Sequence, residues 1–219
     1  GSSGKHFLAM LAKIRRAIPG VALRTSMIVG FPGETEDDFR ALLDFVAAAE
    51  FDHLGVFLYS NEESSASFAL PAQVRATTAR RRQRQLLALQ RRISRRKLRA
   101  RVGQSLPVLV EGRSEETDLL FCGRLESQAP EIDGRVLIND FAGAEPQPGE
   151  FRWAQITAAS DYDLVARLEE RNYAEARPAK AAATAIRTEG EPAAGALPGA
   201  RLIQIRTAGV AAVQSRNVV

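Results

Sequence analysis

Apolar positions along the first sixty residues change period twice. Phe7, Leu8, Leu11, Ile14 and Ile18 recur three or four apart, which puts them on one face of a 3.6-residue turn, and Pro19-Gly20 then supplies a stop. The spacing predicts an amphipathic helix over residues 5–18. Residues 21–29 (VALRTSMIV) are apolar and β-branched enough for a buried parallel strand, ending at Gly30. Thr35 is placed to cap the next helix, because its hydroxyl can accept an orphan amide while Glu36, Asp37 and Asp38 occupy the positive end of the helix dipole. That helix should run to about Glu50 and bury Phe39, Leu42, Leu43 and Val46. Residues 53–60 (HLGVFLYS) predict a second strand, completing a β-α-β unit with parallel strands and a right-handed crossover.

After a polar loop at 61–71, residues 74–101 form a long helical pattern in which Leu86, Leu89 and Ile93 give one apolar stripe and arginines cover most of the rest. The period then shortens to two. Runs at 105–110, 119–125, 135–140, 151–157 and 163–168, punctuated by Gly112, Gly123, Gly134 and Gly149, predict a five-stranded antiparallel barrel. From Glu169 onward Ala and Pro dominate without apolar periodicity, which predicts a disordered tail. The fold class expected is α/β plus β, divided into residues 1–72, a basic linker helix at 73–102, a small β-barrel at 103–168 and an Ala/Pro-rich tail at 169–219.

Composition narrows the chemistry. A hydrophobic share of 45% suits a globular chain, and no apolar run approaches the roughly 18 residues of a membrane span. With no secretory signal pattern either, the expected location is cytoplasmic. One cysteine, Cys122, excludes an internal disulfide and any site built of several thiolates within these residues. Two histidines, His6 and His53, argue against a His-rich metal centre. The formal charge of +4 hides a division. Residues 73–101 carry twelve Lys or Arg and no acid, whereas residues 103–168 carry twelve acids against five arginines, a net charge of minus seven.

Candidate chemistry concentrates at the end of the first strand. In Ile28-Val29-Gly30-Phe31-Pro32-Gly33-Glu34-Thr35 a glycine turn opens a helix, so backbone can approach a ligand closely and the helix N-terminus attracts an anion. A tight strand-to-helix connection explains the same residues without a ligand. Arg24, a charge on a buried strand, needs a partner, either a ligand carboxylate or a structural salt bridge. Glu62 and Glu63 are adjacent carboxylates on a loop and are expected to be solvated.

The stretch TSMIVGFPGETEDDF resembles the signature of radical-SAM methylthiotransferases. Residues 59–66 (YSNEESSA) are similar to the YSxEEGTxA loop of the RimO type, with Ser64 and Ser65 in place of Gly-Thr. Residues 122–134 (CGRLESQAPEIDG) are similar to the run in that type's TRAM domain, and the likeness continues through 161–165 (DYDLV). The resemblance implies the C-terminal part of a radical-SAM (β/α) barrel followed by an OB-like TRAM barrel. It implies that Ile28 and Gly30 border the adenosyl group of S-adenosylmethionine, that Phe57 and Tyr59 approach its adenine, and that Arg24 pairs with its methionyl carboxylate, with no catalytic or metal-binding residue among them. Two 4Fe-4S clusters belong to such an enzyme, on cysteines that these residues lack, so the chain by itself is expected to be inactive.

The implied substrate is an aspartate β-carbon in small-subunit ribosomal protein twelve, and an acidic TRAM barrel suits a basic protein better than a phosphate backbone. A tRNA methylthiotransferase of the MiaB type and a non-catalytic TRAM binding module stand as alternatives. The basic helix allows two readings, contact with ribosomal RNA or a solvated face lying against the acidic barrel. A monomer without membrane contact is expected.

Overall fold

The computed structural model describes residues 4–63, 65, 67–171 and 173, and the backbone of residues 203–206. They fall into two compact units, the first built from residues 4–100 with 159–162 and 203–206, the second from 101–158 with 163–171 and 173.

The first unit runs α1 (Gly4–Ala17), β1 (Leu23–Val29), α2 (Glu36–Ala49), β2 (His53–Leu58) and α3 (Ala76–Arg99). β1 and β2 are parallel, in register from Arg24 opposite His53 to Val29 opposite Leu58, as the β-α-β pattern requires. Leu23, Met27 and Val29 on one face of β1 share a core with Phe39, Leu42 and Val46 of α2 and with Leu86 and Ile93 of α3. The alternate face, Arg24, Ser26 and Ile28, is half-buried to exposed, so β1 is covered on one side rather than buried on both. Arg24 and Ser26 mark that side as polar: the strand carries the alternation of a half-covered sheet.

Glutamines and a lysine of α3 fasten it to the strands. The Gln83 side-chain amide donates to the Val56 carbonyl at 2.8 Å, and that of Gln90, buried, to the Phe51 carbonyl at 3.0 Å. Lys97 pairs with Asp52 at 2.7 Å, and the other Asp52 oxygen accepts from the Leu23 amide at 2.8 Å, which ties the helix end to the start of β1.

The second unit contains β3 (Ser105–Arg113), β4 (Phe121–Arg124), β5 (Val136–Phe141), β6 (Phe151–Ala159) and β7 (Leu164–Leu168), closed into a barrel in the order β3-β4-β5-β7-β6. Val108, Val136, Ile138, Ile156, Leu164 and Leu168 fill it and are essentially inaccessible. The five predicted strands are present, but the barrel is not wholly antiparallel: β5 and β7 pair in parallel. A closed ring with an odd number of strands cannot alternate direction all the way round, so at least one parallel pair is forced. Gly123 on β4 leaves no room for a side chain against β3, since a Cβ there would lie 2.6 Å from the Leu109 carbonyl oxygen. Cys122 is buried on β4, with the Arg135 side chain against it.

The tail expected from residue 169 departs from expectation at both described places. Glu169 donates its amide to the Trp153 carbonyl at 2.8 Å, Arg171 lies 4.1 Å over the Trp153 ring, and Tyr173 stacks on Phe151 at 5.1 Å, so packed chain continues past residue 168. Residues Ile203–Arg206 form a strand, β8, parallel to β1 on the side away from β2. The rest of the expected tail lies outside the described residues. Among the described residues no helix is long and apolar enough to cross a membrane.

Candidate functional site: the β1 turn and the open strand face

The chain leaves β1 through two glycines in the left-handed region, Gly30 at φ 83° and Gly33 at φ 82°. Glu34 closes this turn on itself. One of its carboxylate oxygens accepts from the Gly30 amide at 2.5 Å and the Phe31 amide at 3.2 Å, while its own amide donates to the Phe31 carbonyl at 2.9 Å. The other oxygen lies 3.1 Å from the guanidinium of Arg82, an α3 residue whose side chain is only 4% exposed. Arg82 also donates to the Glu34 carbonyl at 3.1 Å, reaches Glu36 at 3.3 Å and lies 5.5 Å over the Phe39 ring. A Cβ on Gly30 would stand 2.6 Å from the Cβ of Ala79, so α3 presses directly on the turn.

Thr35 then caps α2 as predicted, in a full capping box. Its hydroxyl accepts from the Asp38 amide at 3.1 Å, and an Asp38 carboxylate oxygen accepts from the Thr35 amide at 2.9 Å. Hydrogen bonds from the Thr35 hydroxyl and then the Thr35 amide hold the Asp38 carboxyl below its ordinary value. Arg81, and after it Arg82, does the same for Glu36.

Beside the turn lies the uncovered face of the sheet. Ile28 and Phe57 are register partners and both are exposed, at 48% and 58%. Next along the strands Ser26 pairs with Gly55, whose missing Cβ would meet the Phe57 ring at 3.1 Å and the Ser26 hydroxyl at 3.4 Å. Arg24, half-buried, is on the same face four residues before Ile28, about 13 Å away at strand rise.

Tyr59 donates its amide to the Val29 carbonyl at 2.9 Å and sets its ring edge-on to Phe31 at 5.2 Å; its hydroxyl bonds Asn61 at 3.0 Å and Ser67 at 2.9 Å. The structure thus gathers Arg24, Ile28 and Phe57 on one open face, with Gly30 and Tyr59 at its C-terminal edge. An apolar strip with a guanidinium at its far end can accept a flat ring and an anion. Glu62 is exposed and accepts from the Ser60 hydroxyl at 2.6 Å, the solvated loop carboxylate expected.

Sequence reasoning missed the pairing of Glu34 with Arg82. The signal was available: Arg82 stands four residues before Leu86, on the buried stripe, where an arginine requires an acidic partner.

In the barrel, residues 125–134 form a loop held from inside. Gln128, 6% exposed, accepts from the Leu125 amide at 2.8 Å and donates to the Gly134 carbonyl at 2.6 Å, while Asp133 accepts from the Ala129 amide at 2.7 Å. Beside it opens a cleft of about 300 Å³ whose lining includes Glu111, Glu115, Glu131 and Asp133. Arg124 is bound to Glu111 at 2.8 Å and Arg113 to Glu145, so two of the barrel's arginines are already neutralised within it. Leu119 and Ile132 are exposed, at 88% and 74%. Among the described residues no group of three metal-ligating side chains occurs.

Residues 102–168 match the TRAM domain family. Three relatives are each named ribosomal protein uS12 methylthiotransferase RimO. The protein from Solibacter usitatus is 57% identical over 77% of this chain and 36% of its own length. Those from Koribacter versatilis and Syntrophobacter fumaroxidans are 53% and 54% identical, each over 77% of this chain and over 34% and 37% of their own lengths. The chain therefore spans about a third of the length of the curated relatives it matches. With a TRAM domain match in the second unit and identities of 53–57% over 77% of its length, the chain is similar to a part of the RimO-type methylthiotransferases.

Proposed function

We propose that this chain is the part of a radical-SAM enzyme that borders S-adenosylmethionine and docks the substrate, and that the whole enzyme methylthiolates the β-carbon of an aspartate in small-subunit ribosomal protein twelve. The carrying observation is the 57% identity to a protein named for that activity. The open β1–β2 face supports the cofactor assignment. Ile28 and Phe57 offer the adenine and adenosyl group an apolar strip, Gly30 and Tyr59 line its edge, and Arg24 is placed for a carboxylate some distance along the same strand. S-adenosylmethionine, when bound and reduced, supplies a 5′-deoxyadenosyl radical. The reducing cluster does not fit these residues: iron–sulfur clusters are held by thiolates, and the single cysteine is buried in the barrel.

The acidic surplus of the barrel favours a basic protein over tRNA as the docked substrate, which argues against a MiaB-type activity. The enzyme is placed in the cytoplasm and acts as a monomer. The test is to express the coding region with the sequence upstream of it, anaerobically with iron and sulfide, and to follow mass gain on the ribosomal protein and on tRNA in parallel. Methylthiolation of the protein is the expected result; methylthiolation of tRNA alone sinks the assignment. An Arg24→Gln variant should raise the KM for S-adenosylmethionine with less effect on kcat, and an unchanged KM would remove Arg24 from the cofactor site.

A further inference from the structure

The buried side of α3 leaves an opposite face with a composition of its own. Residues 79, 82, 86, 90 and 93 are buried, and at 100° per residue Arg80, Arg81, Arg84, Arg91, Arg92, Arg95 and Arg99 lie on the remaining side, all exposed, with Arg81 paired to Glu36 at 2.9 Å. Asp161 engages Arg91 and Arg95. Arg80, Arg84, Arg92 and Arg99 have no side-chain hydrogen bond or ion pair among the described residues. At 1.5 Å per residue the row from Arg80 to Arg99 is about 28 Å long, with neighbours one or two turns apart.

We propose that this face of α3 is a binding surface for the phosphate backbone of RNA. Three observations select that partner over an acidic protein or a membrane. The positive groups are guanidinium forks, which match phosphate oxygens two at a time. No large apolar side chain of α3 is exposed, so the face has neither an anchor of the kind that dominates protein interfaces nor a wedge for a lipid surface. The helix contains no acid, and its charges form a line rather than a cluster, which suits a continuous polyanion. The inference is independent of the methylthiotransferase reading, since it needs neither cofactor nor catalysis.

The full chain would be titrated, by fluorescence anisotropy, onto a labelled RNA duplex of about 20 base pairs across a series of salt concentrations, where each neutralised duplex phosphate contributes a log–log slope of about −0.9. With those four arginines engaged the slope should be about −3 to −4. The double variant Arg84→Gln/Arg92→Gln changes exposed positions to a residue of similar helix propensity, so the fold is retained. It should flatten the slope by about 2 and weaken binding about tenfold or more. The control Lys13→Gln/Arg16→Gln, which removes the same charge from exposed positions of α1, should change affinity less than about twofold. Equal losses in the two double variants would reduce the effect to net charge and overturn the proposal. So would a slope near zero, or binding to polyglutamate or to anionic phosphatidylserine vesicles as tight as to the duplex.

Discussion

Single residues decide whether the two loops that matter keep their shape. Gln128 is buried and serves two backbone groups at once, the Leu125 amide and the Gly134 carbonyl. Gln128→Ala strands both, and the barrel should lose about 1–3 kcal/mol. Urea unfolding followed by the fluorescence of Trp153, the sole tryptophan, reports that loss, and a change below about 0.5 kcal/mol would mean water replaces the amide. Arg82→Ala leaves the Glu34 carboxylate, 12% exposed, without its partner, and should cost about 3 kcal/mol. Arg82→Met with Glu34→Gln should recover much of that, measured by thermal melting in far-UV circular dichroism; a double variant as unstable as Arg82→Ala alone would show that the charges are not what matters. These two residues also mark how much the sequence disclosed. Gln128 stands in a stretch singled out by resemblance, yet its job depends on two backbone groups that only the folded loop brings to it. Arg82 was counted as one charge among twelve, and its burial follows from a three-dimensional packing that a charge count does not contain.

At the scale of elements, the local signals were those with a local cause. Thr35 and Asp38 are three residues apart, and their capping box forms from chemistry within one turn, so the start of α2 was legible. Thr35→Ala should destabilise α2 by about 1 kcal/mol. Because the folded Asp38 carboxyl is held below its ordinary value, its contribution is present above the usual aspartate range and is lost as pH falls through the lowered folded value. The gap between Thr35→Ala and the parent should accordingly narrow in acid, and a gap constant down to the lowest pH at which the protein folds would detach Asp38 from the cap. Pairing partners were less legible. Five period-two runs showed five strands, but direction is a property of the closed ring, and the parallel β5–β7 pair follows from counting strands around it. The one-sided burial of β1 was visible in the polar Arg24 and Ser26 at alternate positions and was hidden by the apolar average of the segment. The place of Ile203–Arg206 beside β1 has no local signal at all, since a parallel strand is chosen by a partner far away in sequence.

Over the whole molecule, charge is sorted by segment rather than mixed. The basic run at 73–101 and the acidic run at 103–168 are adjacent in sequence, and both were plain from composition. What composition did not show is how much of each is already spent internally: Arg81, Arg82, Arg96 and Lys97 face acids of the first unit, and Arg113 and Arg124 face acids of the barrel. The open face of β1 and β2 was legible as a candidate because strand ends and glycine turns are where ligands gather, while its apolar strip appears only once the register sets Ile28 against Phe57.

The solitary thiol of Cys122, 7% exposed on β4 at the border of the barrel's cleft, makes this protein its own gauge of stability. An alkylating reagent added to the folded chain reaches it mainly when β4 opens, and where reclosing outpaces alkylation the rate follows the population of the open form. Under native conditions the thiol should react far more slowly than a free cysteine, and Gln128→Ala should speed it about tenfold for each 1.4 kcal/mol of barrel stability removed. A thiol that reacts at the free rate in the parent would mean that β4 breathes without the rest of the ring.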